Sequence, residues 1–129
     1  MGVMHKNTPN SGFSNPAAAA ETVVYTSPAL VAGSGEGVIG ISGTINLTPG
    51  TGATACVVRV RAGTLTGTLL GASPSHTVAA GAAQSVSFGA TDNSDFLQQA
   101  GGGSYVVTVQ MTGATGSTTI NVLDVEVIT

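Results

Sequence analysis

The chain has 129 residues, of which 7% are charged and 42% hydrophobic, and its formal net charge is -3. A lone cysteine, Cys56, excludes an intrachain disulfide, and Lys6, Arg59 and Arg61 are too few cations to cover a nucleic-acid backbone. The longest apolar run falls far short of the roughly 20 residues of a membrane-spanning helix, so neither nucleic acid nor membrane is an expected partner.

Residues 1–20 have no hydrophobic period, and Pro9 and Pro16 bias Thr8 and Asn15 toward extended backbone. This stretch reads as an extended N-terminal arm, with Val3, Met4 and Phe13 as isolated apolar anchors for another surface. It lacks the apolar core of a secretory signal. From residue 21 to residue 129 a period of two takes over, the mark of half-buried strands in a second unit, a β-sandwich domain.

Val23 and Tyr25 share one face of the first strand, which Pro28 ends; residues 33–37, rich in Gly, turn the chain. Ile39, Ile41, Ile45 and Leu47 then share a face opposite Ser42, Thr44 and Asn46, with Gly40 and Gly43 suggesting a bend or bulge. Residues 48–52 are expected to turn the chain. In the next strand, 54–62, Cys56, Val58 and Val60 oppose Val57, Arg59 and Arg61. Short strands are predicted over 65–70, 76–80 and 84–88, the last with Val86 and Phe88 inward. Asp92 opens a loop, 95–99 can make one helical turn, and three glycines end it.

Tyr105, Val107, Val109 and Met111 line one face of the clearest strand, with Thr108 and Gln110 opposite; residues 112–116 resemble a hairpin loop. The last strand changes phase at Val122-Leu123, which a β-bulge would reconcile, leaving Asp124 and Glu126 facing outward. About eight short strands and no substantial helix predict an all-β, antiparallel two-sheet sandwich.

The same residues offer little to catalysis. His5 and His76 with one cysteine are too few for a zinc site, and no G-x-S-x-G elbow is present. Asp92 and Asp95 read as loop residues that cap local backbone, since EF-hand spacing is absent. No cofactor, metal or reaction is expected. Cys56 reads as a small buried hydrophobe. Arg59 and Arg61, two apart on one face, are candidates to pair with Asp124 or Glu126 of a neighbouring subunit. So little charge also leaves little repulsion to oppose association.

The runs GISGTINLT at 40–48, VRVRAGT at 58–64 and SYVVTVQ at 104–110 resemble the small jelly-roll domains of tailed-phage structural proteins. These include capsid decoration (cement) proteins and the TNF-like tips of fibres, and the resemblance covers residues 21–129 through strand rhythm and Gly/Thr-rich composition. It implies a non-enzymatic bacteriophage virion protein at the capsid surface, a homotrimer bound to the major capsid protein. It also implies that the arm grips the capsid lattice. The alternative it leaves is a receptor- or glycan-binding fibre-tip module, acting through loops such as 73–76 or 92–99. The initiating Met and the length favour a stand-alone chain over a piece of a fibre.

Overall fold

The computed structural model describes residues 3–7, 13–15, 20–32, 37–51, 54–79, 81–99, 101–112 and 115–129. The turn expected at 33–37 lies largely outside them. In chain order the strands are β1 (Val3–Lys6), β2 (Phe13–Asn15), β3 (Thr22–Thr26), β4 (Ile39–Thr51) and β5 (Thr54–Ala62). They continue as β6 (Leu69–Ala72), β7 (His76–Val78), β8 (Gln84–Asp92), β9 (Tyr105–Thr112) and β10 (Thr115–Ile128). Among the described residues one 3-10 turn, Phe96–Gln98, falls where one helical turn was expected.

One sheet runs β1-β10-β4-β8, with β2 also on β10; the other runs β3-β9-β5-β6, with β7 also on β5. All pairings are antiparallel. Taking β1–β2 and β6–β7 each as one interrupted strand reduces the ten strands to eight, four per sheet. Every connection then crosses between the sheets except the one from β5 to β6. That double Greek key is a jelly roll.

The core lies where the alternation placed it. Ile39, Ile41, Ile45 and Leu47 of β4, Val86 and Phe88 of β8, and Ile120, Val122, Val125 and Val127 of β10 are buried. They face Cys56, Val58 and Val60 of β5 and Tyr105, Val107, Val109 and Met111 of β9, all buried as well. The bulge expected at Val122-Leu123 is present: Val122 pairs with Ile45, and Asp124, not Leu123, pairs with the adjacent Thr44. The extra residue turns Val125 and Val127 inward and Asp124 outward. β4 itself pairs with β8 in unbroken register from Ile39–Asp92 to Leu47–Gln84, so neither Gly40 nor Gly43 marks a bulge there. Gly43 has a steric reason instead. A Cβ there would sit 2.2 Å from the Asp124 carbonyl oxygen and 2.6 Å from Phe88 Cζ.

Four further expectations are corrected. The turn expected over 48–52 is instead the end of β4, which stays extended to Thr51 and pairs there with Thr115 of β10. The loop at 112–116 does not close a hairpin, because β9 and β10 belong to different sheets; a turn signal reports reversal, not the partner of the next strand. Val23 and Tyr25 do not share a face: the β3–β9 register slips between them, with Val24 buried and Tyr25 packed on the core. The strand expected from residue 65 begins at Leu69, after a turn in which Gly67 N–H donates to the Thr64 carbonyl.

Of residues 1–20, those described lie along a sheet: β1 and β2 pair with β10 at its edge. Val125 N–H donates to Asn7 Oδ1, and Asn7 N–H donates to the Val125 carbonyl at 3.1 Å. The β10 edge leaves backbone groups to satisfy, and these short segments satisfy them. His5 Nε2 and Tyr25 Oη stand 2.5 Å apart, with their rings stacked at 6.1 Å, which ties the β1 edge of one sheet to the β3 edge of the other.

Candidate functional site

Three surface regions gather the polar side chains. The first is the outer face of the β3-β9-β5 sheet. β3–β9–β5 pairing brings Glu21, the residue before β3, beside Arg61 and Thr108, residues far apart in sequence. Arg61 Nε and Nη2 donate to Glu21 Oε2 and Oε1 at 2.7 and 2.9 Å, a bidentate pair. Arg61 Nη1 also donates to the Gly67 carbonyl, and the buried Thr108 hydroxyl donates to Glu21 Oε2. Arg59 Nη1 donates to Gln110 Oε1 at 2.7 Å and lies 3.7 Å from Glu21 Oε1. The Arg61 hydrogen bonds hold the Glu21 carboxyl below the usual carboxylate range, against the opposing effect of burial, and the Arg61 guanidinium is raised in return.

Arg59 and Arg61 therefore pair within the chain, with Glu21, rather than standing unpaired for a neighbour's carboxylates. Glu21 was missed because nothing in spacing marks it; only the register of β3 on β9 brings it here.

The second region is the outer face of the β10-β4-β8 sheet. Asp124 is exposed there, and Glu126, opposite Lys6 in the β1–β10 register, meets its ammonium at 3.9 Å. The surrounding positions are Ser42, Ser85, Ser87 and Thr91, all exposed. Of the expected anchors, Val3 is 62% exposed on this edge, whereas Met4 is half-buried and packs on the core. The Phe13 side chain lies outside the described residues; its backbone pairs with Ile120.

The third region is one end of the sandwich. A cleft of about 430 Å³ opens between the start of β6 and the loop after β8, lined by Leu69, Leu70, Asn93, Asp95, Phe96 and Gln99 among others. The loop is fixed from below. Buried Asp92 accepts from Tyr105 Oη at 2.6 Å, from Ser94 N–H at 2.9 Å and from the Ser94 hydroxyl at 2.5 Å. For Asp92 this is the local capping expected, and it engages both oxygens; Asp95, at the start of the 3-10 turn, makes no side-chain cap there. The Phe96 ring packs on Tyr105 with centroids 5.6 Å apart, and Ala32 N–H donates to the Leu97 carbonyl. Burial, with the Asp92 bond, pushes the Tyr105 phenol above its ordinary range. The exposed apolar residues Val31, Val38, Leu65 and Leu69 all lie in or beside connections joined to this loop end.

No group of three His, Cys, Asp or Glu comes together among the described residues. His5 and His76 lie on opposite sheets, His76 opposite Cys56 in the β5–β7 register. Cys56 is fully buried, and burial pushes its thiol up to about 11.

No protein-family model matches the chain, and no curated protein matches it in sequence. Solved structures do match. A chain in the structure of infectious bursal disease virus, Gx strain, superposes with a TM-score of 0.64 at 12% identity, over 95% of this chain and 31% of that one. The shared feature is the fold. The Gt strain of the same virus gives 0.60 at 6% identity, over 95% and 30%. The T13 viral particle of that virus gives 0.55 at 10% identity, over 95% and 35%. This chain thus spans about a third of each chain it resembles.

Proposed function

We propose that this protein is a non-enzymatic structural component of a virion, a decoration protein that binds and stabilises a bacteriophage head by contacts between subunits. One observation carries the reading: nearly the whole chain superposes on chains from an icosahedral viral particle, with a TM-score of 0.64 for the first of them. The jelly-roll topology and a surface nearly free of charge are in keeping with it. Its partners would be two further copies, giving a trimer, and the major capsid protein. The surfaces available for these contacts are the Val3 edge, the outer face around Asp124 and Glu126, and the apolar loop end at Val31, Val38, Leu65 and Leu69. Arg59 and Arg61 would contribute through the Glu21 network they complete, as a rigid polar patch and not as unpaired cations.

Binding of this kind stabilises a shell by mass action, with no turnover. The first test is native mass, with three times the 12.5 kDa chain expected. The second is co-sedimentation with phage heads lacking their decoration protein. A chain that stays monomeric and leaves the heads' resistance to heat unchanged refutes the proposal.

A further inference from the structure

We infer that the cleft at the loop end is a binding site for neutral carbohydrate. Its volume of about 430 Å³ lies in the range of small-ligand clefts. Its wall has two characters. Leu69, 48% exposed, and the half-buried Leu70 and Phe96 form an apolar side, while Asn93, Asp95 and Gln99 present two carboxamides and a carboxylate. A sugar ring has the same two characters: C–H faces that pack on apolar and aromatic surface, and hydroxyls that donate to carboxylates and exchange bonds with carboxamides.

The site is held in shape before any ligand arrives. Asp92 is locked by Tyr105 and Ser94, and Phe96 is braced by Tyr105. A preformed loop loses less entropy on binding. The ligand's charge follows from the lining, which holds no Lys, Arg or His. The Asp95 carboxylate would repel sialic acid or sulfate, so the ligand is uncharged. A bound cation does not fit equally well. Both oxygens of Asp92 are engaged by protein donors, which leaves Asp95 as the available carboxylate of the lining.

This inference does not depend on the virion reading, because it is scored on the isolated chain. The test applies the full chain to an array of neutral, sialylated and sulfated glycans, then measures the best binder by titration calorimetry. Signal confined to neutral glycans is expected. Asp95→Ala and Asn93→Ala should each weaken binding about 10-fold or more. Both residues are exposed, so circular dichroism and melting temperature should not change. An empty array, a preference for anionic glycans, or affinity indifferent to both substitutions overturns the site. Leu69→Asp, which puts a carboxylate on the apolar wall, should weaken binding as well, and an affinity unchanged by it counts against placement in this cleft.

Discussion

Replacing Glu21 with Gln probes the outer-face network at its centre. The carboxylate accepts three hydrogen bonds, two from Arg61 and one from Thr108, and its side chain is only 17% exposed. Bonds to charged groups contribute about 1.5–3 kcal/mol when broken in buried settings. Gln keeps one acceptor oxygen, and partial exposure lets water replace some of the rest. The expected loss is therefore about 2 kcal/mol at neutral pH. Unfolding entropy of about 2.1 cal/mol/K per residue over 129 residues is about 270 cal/mol/K, so the melting temperature should fall by about 7 °C.

The pH dependence supplies the sharper check. The folded-state carboxyl titrates below its ordinary 4.5, so its contribution is complete above that value and disappears as pH falls through the lower folded one. The gap between wild type and Glu21→Gln should close on acidification. Combining Glu21→Gln with Arg61→Met should cost less than the sum of the two changes. Thermal melts followed by circular dichroism across pH measure all of this. A gap that stays constant or widens into acid, or strict additivity, would refute the network as described.

Other outcomes follow from the packing. Gly43→Ala should destabilise the fold by about 2 kcal/mol or more, because the new methyl would meet the Asp124 backbone and the Phe88 ring, seen as a lower urea midpoint. Cys56 should resist a thiol reagent near pH 8 in the native protein and react fully once unfolded, since its thiol is buried and pushed up to about 11. Deleting residues 1–20 should not leave an intact sandwich: it strips β1 and β2 from β10, and light scattering should report aggregation. A truncated chain that melts like the full one would show that those strands add nothing to the fold.

Much of the sandwich was legible from alternation alone. A two-residue period states which side chains share a face, and Ile39 to Leu47, Cys56 to Val60 and Tyr105 to Met111 are buried as that period requires. The break in phase at Val122-Leu123 identified the bulge, because a strand with one face in the core cannot slip by one residue without an extra one. With no apolar residues at helical spacing, the described residues hold one 3-10 turn as their helix.

Which strand lies beside which was not legible. Neighbours are chosen by contacts between distant segments, and many uncharged strand faces of Ser, Thr and Gly are alike in the sequence. The 112–116 loop therefore read as a hairpin although β9 and β10 lie in different sheets, and nothing in residues 3–6 and 13–15 marked them as partners of β10. The same holds for the candidate sites. Residues 92–99 were suspected as a loop, but only the packing of that loop against Tyr105 and β6 makes a cleft. By itself the sequence determined the strands, their faces and the bulge, since these are local consequences of backbone geometry and burial. Tertiary structure alone decided the pairing order, the Glu21–Arg61 partnership and the cleft, because each joins residues that only the folded sheets bring within reach.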